Sequence, residues 1–133
     1  MGKPAVLSRD KEVIGEGLDS IVIRNYIAGI KGGATLNMEG FPHKTVRAGH
    51  VAIYDTINKE YKPMPLNAEG MAYSSLPTNH RYAGVLVNSA LTEEPIVGIM
   101  YAGEVNDLAS PYPVDDIKSA MAEALPQLVF MHD

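Results

Sequence analysis

The sequence contains no cysteine and no tryptophan among its 133 residues. The lack of cysteine excludes a disulfide scaffold, thiolate ligands for zinc or an iron–sulfur cluster, and a cysteine nucleophile. With 46% hydrophobic residues, a chain of this length can still bury roughly two thirds of its extended surface. We therefore expect one domain, stabilised by packing or by assembly.

Basic residues are scarce in the second half of the chain. Nine of the eleven lysines and arginines precede residue 67, whereas nine of the sixteen acidic residues follow it. No lysine or arginine lies between Arg81 and Lys118. A surface that binds nucleic-acid phosphates or anionic lipids needs clustered cations. The sequence therefore predicts no nucleic-acid partner and no membrane partner.

Long apolar runs are also missing. Stretches such as residues 96–102 have the length of a strand and contain glycine, whereas a membrane helix needs roughly 20 apolar residues. The first residues include one lysine but no apolar run that suits a signal peptide. We therefore expect a protein made in the cytoplasm, whatever particle it later joins.

Twelve glycines and nine prolines restrict the chain to short elements. Several β-branched or aromatic runs are bounded by turn-forming residues and are typical of strands. These runs cover residues 21–27, 34–38, 50–54, 82–87, 96–102 and 127–131. Gly29, Gly32 and Gly33 are expected to form a turn after the first run, because glycine readily adopts positive φ. Residues 55–60 predict a hairpin connection, and the prolines that follow place residues 61–66 at a sheet edge.

One segment, residues 114–125, has the periodicity of a helix. Its expected apolar face comprises Val114, Ile117, Ala120, Met121, Ala124 and Leu125. Asp115 and Asp116 suit the start of a helix, and Pro126 suits its end. The sequence therefore predicts an α+β fold that is mainly β, a small β-barrel-like or β-sandwich-like domain of short strands with one C-terminal helix.

The first nineteen residues mix proline, glycine and alternating charges without sustained periodicity. Such a segment becomes ordered only against a partner, although an ordinary frayed terminus has the same composition. We interpret residues 1–19 as a flexible N-terminal arm and residues 20–133 as a single β-rich domain.

No pattern of catalytic or metal-binding residues is apparent. The four histidines never stand two, three or four residues apart, as local zinc ligands do. Adjacent acids such as Glu93 and Glu94 point in different directions and do not form an acid–base pair. Gly15 and Gly17 match only part of a dinucleotide-binding fingerprint. We expect no catalytic residue, no metal, no cofactor and no enzymatic activity.

A long connection over residues 66–80 carries the apolar residues Met71, Tyr73 and Leu76. Loops of this length are usually functional or mobile, and apolar residues in them tend to dock onto another surface. That surface is either a partner or the edge of the domain's own core.

From residue 46 onward, the order of short elements resembles that of a known family. The relevant runs are Arg47-Ala-Gly-His-Val, Tyr61-Lys-Pro-Met-Pro-Leu, Tyr82-Ala-Gly-Val-Leu, Ile99-Met-Tyr-Ala-Gly-Glu-Val-Asn, a helix from Asp116 to Leu125, and Leu128-Val-Phe. The pattern resembles the head decoration proteins of tailed bacteriophages, the lambda-like capsid-stabilising family. Residues 21–45 have no counterpart in it.

The resemblance implies a structural protein that forms trimers on the outside of an expanded capsid, with the major capsid protein as its partner and the virion as its location. It implies an N-terminal arm that becomes ordered against the capsid, and no catalysis. Arm and loop offer apolar and charged anchors. The expected capsid-binding residues are Val6, Leu7, Arg9, Met71, Tyr73 and Leu76.

Two other classes stay open. A small β-barrel enzyme or carbohydrate-binding module would stack a sugar on Tyr73, Tyr82 or Tyr101, although the lack of tryptophan weakens this hypothesis. A single-strand nucleic-acid binder would use the same tyrosines but lacks a basic groove.

Overall fold

The structure is a computed structural model that describes residues 21–132, apart from the side chains of residues 31–33. The predicted arm over residues 1–19 therefore lies outside the described residues. Within them, a short 3₁₀ helix spans Asp107–Ala109. The other elements are β1 (Ile23–Thr35), β2 (Thr45–Val46), β3 (Val51–Asp55), β4 (Glu60–Pro63), β5 (His80–Leu86), β6 (Ala90–Leu91), β7 (Ile96–Asn106), α1 (Lys118–Ala124) and β8 (Leu128–Met131).

Six strands form one sheet in the order β1-β7-β5-β3-β4, and β8 also pairs with β7. All pairs are antiparallel except the parallel pair of β7 and β8. Strand β1 pairs with nearly the whole length of β7 on one side. Strands β5 and β8 therefore share the other side of β7. Strands β2 and β6 form a separate two-stranded sheet. The prediction of a mainly β fold with one helix near the C-terminus is confirmed, but the described sheets do not close into a barrel.

Side-chain alternation divides the core between the two faces of the large sheet. Val51 and Ile53 belong to a cluster that includes Met121 of α1 and Leu128 of β8. Ala52, between them in sequence, belongs to a second cluster that includes Val46 of the small sheet. Neighbouring residues of a strand point to opposite faces. The helix therefore covers one face and the small sheet covers the other.

The glycines after residue 28 do not form the predicted turn. Gly29, Gly32 and Gly33 all lie inside β1. At Gly29 a Cβ atom would stand 2.2 Å from the carbonyl oxygen of Ile99, so this glycine permits a close approach between β1 and β7. Gly84 approaches β7 from the other side, where a Cβ atom would stand 2.2 Å from the carbonyl oxygen of Met100. The predicted strands at 21–27 and 34–38 are therefore largely one strand, which ends at Thr35.

The hairpin and its edge position are confirmed. Asp55 of β3 stands opposite Glu60 of β4, and β4 ends the order of the large sheet. The strands predicted at 50–54, 82–87 and 127–131 each lie within two residues of an observed strand. The strand predicted at 96–102 continues to Asn106.

The helix is shorter than predicted. It begins at Lys118, because the residues before it form a turn in which the N–H of Ile117 donates to the carbonyl of Val114. Asp115 and Asp116 therefore precede the helix instead of occupying its first turn. Met121 is buried as expected. Ala120 and Ala124, predicted on the buried face, are exposed.

Candidate interaction site

The two edges of the large sheet differ in how well they are protected. At the β4 edge, the carbonyl of Tyr61 accepts a hydrogen bond of 2.9 Å from the N–H of Asn37, and Pro63 cannot donate one. At the other edge, β1 pairs with β7 alone within residues 21–132. A strand of thirteen residues with one free edge is a template for pairing with another chain.

Bulges turn two apolar side chains outward where β1 meets β7. Tyr26 pairs with Gly103 and Ala28 with Ala102, so Ile27 has no opposite residue. Tyr101 is skipped in the same way on β7. Bulges often redirect side chains at sheet edges. Ile27 on β1 is 63% exposed, and Tyr101 on the inner strand β7 is 46% exposed. The β1 edge therefore combines unpaired backbone with the apolar side chain of Ile27.

The predicted site residues of the 66–80 loop divide into two groups. Met71 is 71% exposed. Tyr73 and Leu76 are partly buried and pack against the core cluster of the helix-covered face. Tyr73 and Leu76 therefore attach the loop to the protein's own core, whereas Met71 is exposed to solvent. Val6, Leu7 and Arg9 lie outside the described residues.

An edge-on aromatic cluster surrounds the buried His50. Its ring meets the rings of Phe41, Tyr73 and Tyr112 at centroid distances of 5.4, 5.2 and 5.6 Å. Its Nε2–H donates to the carbonyl of Met64 over 3.0 Å. Burial lowers the pKa of His50 to about 4. This histidine is neutral at physiological pH and holds the surrounding segments together.

A groove opens beside this cluster, between the segment before β3 and the turn after the 3₁₀ helix. Its volume is about 390 Å³. The lining residues are Phe41, His43, Lys44, Thr45, Arg47, His50, Pro111 and Tyr112. Within the described chain, aromatic and cationic side chains line this groove and no carboxylate does.

Asp55 occupies a structural position in the hairpin. Its Oδ1 accepts hydrogen bonds from the N–H groups of Ile57 and Asn58 at 2.9 and 3.0 Å. The Nζ of Lys62 lies 3.1 Å from Oδ2. The bond from the Asn58 N–H is the largest of the causes that hold the pKa of Asp55 well below its usual range. The Asp55 carboxylate therefore stabilises the hairpin turn through these hydrogen bonds.

Asp107, directly after β7, connects three elements. Its Oδ1 lies 2.8 Å from Nδ1 of His132, and its Oδ2 accepts from Nζ of Lys118 at 3.0 Å. His132 and Lys118 lower the pKa of Asp107. This carboxylate therefore ties the 3₁₀ helix to the start of α1 and to the residue after β8.

No three histidine, aspartate or glutamate side chains of the described region form a group that could hold a metal ion. Between Ile21 and His132 there is also no helix long and apolar enough to cross a membrane. The tyrosines considered for stacking a sugar do not form a platform. Tyr82 is buried and Tyr73 packs against the core, which leaves Tyr101 as the exposed member of that set.

Sequence reasoning missed the free edge of β1 and the basic groove. The glycines of β1 predict a turn, and a turn at that point would divide the strand in two. The β-branched residues on both sides of these glycines are the sequence feature that indicates one continuous strand. For the groove, Lys44 and Arg47 lie close together in sequence, but Tyr112 comes from a distant segment.

Comparisons with models of known protein families, with curated proteins and with solved structures find no match for this chain.

Proposed function

We propose that the protein is a structural auxiliary protein of a phage capsid, which binds the outside of the head shell as a trimer and stabilises it. The observation that carries this proposal is the outer edge of β1, which has no partner strand within residues 21–132 and carries the exposed apolar side chain of Ile27. An extended segment of the major capsid protein that pairs with this edge would gain main-chain hydrogen bonds and an apolar anchor.

The asymmetry of the sheet supports one docking direction. The β4 edge is covered by Asn37 and carries Pro63, whereas β1 has a free edge in the described structure. Met71 offers a second exposed apolar contact on the 66–80 loop. Three subunits that engage three capsid subunits together would gain from effective concentration, so that modest contacts suffice.

The arrangement of the carboxylates also favours a structural role. Asp55 closes a turn and Asp107 ties three elements together. Each accepts hydrogen bonds that hold it in its charged form, whereas a general acid needs a raised pKa. An adhesive protein needs neither a poised proton donor nor a nucleophile.

The test is cosedimentation of the purified protein with expanded head shells assembled from the major capsid protein of the same genome. We expect saturable binding and a higher melting temperature of the decorated shells. Failure of the wild-type protein to bind or stabilise such shells would overturn the proposal.

A matched pair of variants tests the docking edge. Ile27→Lys places a charge on the free edge, whereas Ile57→Lys makes the same change in the hairpin turn, where Ile57 is 66% exposed. Lysine at an exposed edge discourages strand pairing. We expect Ile27→Lys to reduce shell occupancy at least tenfold and Ile57→Lys to bind like wild type, with unchanged melting of both free proteins. Equal binding by the two variants would show that β1 is not the contact.

A further inference from the structure

The groove beside Tyr112 has the size and lining of a small-molecule site. Its volume of about 390 Å³ falls within the roughly 300–1,000 Å³ typical of ligand pockets. Lys44 and Arg47 contribute positive charge and Thr45 contributes a hydroxyl group. Both cations belong to the first half of the chain, where lysine and arginine outnumber the acidic residues.

The buried ring of His50 packs against the aromatic side chains that line one side of the groove. His50 is 1% exposed, and its ring meets the rings of Phe41 and Tyr112 edge-on. The Nε2 of His43 donates to the carbonyl of Gly70 over 3.0 Å, which fixes another lining ring. A wall that is held in place before binding stacks a flat group at little entropic cost.

On the cationic side of the groove, the backbone at Lys44 is held in place and the Lys44 ammonium is exposed to solvent. The carbonyl of Lys44 accepts a hydrogen bond of 2.9 Å from the N–H of Thr92, which anchors the segment to the residue after β6. The side chain of Lys44 is exposed, and its ammonium makes no salt bridge with a carboxylate between residues 21 and 132. A lysine in this position can bind a phosphate as a point charge.

From these features we propose that the groove binds a small organic phosphate that carries a flat ring, a molecule of about the size of a mononucleotide. The phosphate would lie against Lys44 and Thr45, and the ring would lie against the aromatic wall of Phe41 and Tyr112. A single phosphate suits the site better than a nucleic acid strand, because the acidic second half of the chain would repel further phosphates. The site is independent of docking at β1.

The experiment is isothermal titration of the full chain at low ionic strength with three probes: adenosine monophosphate, adenosine and inorganic phosphate. We expect the monophosphate to bind more tightly than either of its parts, because it engages both sides of the groove. The ring resonances of Phe41 and Tyr112, followed by NMR, should shift on binding and locate the ligand.

Two lysine variants distinguish binding of the monophosphate in the groove from a general attraction of its phosphate to positive charge on the protein. Lys44→Ala removes the charge at the groove, whereas Lys59→Asn removes an equal charge in the hairpin turn, where asparagine tolerates the positive φ of 57°. We expect Lys44→Ala to weaken binding of the monophosphate about tenfold and Lys59→Asn to leave it unchanged. Absence of monophosphate binding, or equal affinity of the two variants, would overturn the proposal. Binding of a polyglutamate peptide in its place would also overturn it and identify the groove as a contact for acidic protein segments.

Discussion

The backbone N–H of Val51 donates a hydrogen bond of 3.0 Å to the phenolic oxygen of Tyr73. Val51 opens a central strand and is fully buried, whereas Tyr73 belongs to the long 66–80 loop. Burial raises the pKa of Tyr73, so its hydroxyl group stays protonated at physiological pH. This bond fastens the loop to the core of the sheet.

Replacement of Tyr73 by phenylalanine should destabilise the protein. The ring would remain, but the Val51 N–H would lose its acceptor in a buried position, at a cost of about 1–3 kcal/mol. Urea unfolding measures this difference, with Tyr101→Phe as the control because Tyr101 is half exposed. If the two variants unfold at the same urea concentration, the Val51 N–H has found another partner and the bond does not hold the loop.

Stability should decrease between about pH 6.5 and pH 4 because of His50. The unfolded chain takes up this proton near the ordinary pKa of 6.5, whereas the folded protein takes it up only near pH 4. In this interval the unfolded state binds more protons, so the free energy of unfolding falls as the pH is lowered from 6.5 to 4, by at most about 3 kcal/mol. The lowered pKa values of Asp55 and Asp107 add further loss only below about pH 4.

Chemical denaturation at a series of pH values tests this expectation. His50→Gln keeps an N–H donor near the Met64 carbonyl but cannot titrate. The variant should be less stable at pH 7 and should show a much flatter dependence on pH between 6.5 and 4. Parallel curves for the variant and the wild type would assign the pH dependence to other groups.

Alanine substitutions at two glycines distinguish the effect of close packing on stability from the effect of backbone conformation. Gly29→Ala would force a Cβ atom against the Ile99 carbonyl, and we expect it to cost about 3 kcal/mol or more. Gly40 has a positive φ of 84° but no atom within 4 Å of an added Cβ, so Gly40→Ala should cost about 1–2 kcal/mol. Thermal melting compares them, and an equal loss in both would contradict the close approach of β1 to β7.

The parts of the fold that were predictable from sequence depend on local chemistry. Between Asp55 and Glu60 the turn residues that close the hairpin are neighbours in sequence, and Pro63 cannot occupy a central strand. The course of β1 was not predictable in this way. Glycine suits both a turn and a close backbone approach, and the choice at Gly29 depends on Ile99, which is distant in sequence.

The candidate site was predictable only in part for the same reason. The composition of the 66–80 loop indicated docking, but the side on which each residue lies depends on tertiary contacts. Tyr73 reaches Val51, whereas Met71 reaches no core residue and stays exposed. Helix periodicity similarly identified Met121 as buried, but the turn closed by Val114 and Ile117 delays the helix and leaves Ala120 exposed.

The pairing of β1 with β7 also sets the order of events during synthesis. The ribosome releases β1 early, but its pairing strand emerges only after about 70 further residues, which takes several seconds at roughly 5–20 residues per second. During this interval Ile27 and the flanking apolar residues of the nascent chain have no strand to pair with. Because β8 also pairs with β7, the large sheet is complete only when residues 128–131 have left the ribosome exit tunnel. A nascent chain that stalls before residue 96 therefore exposes a strand, β1, that can pair with other chains and aggregate.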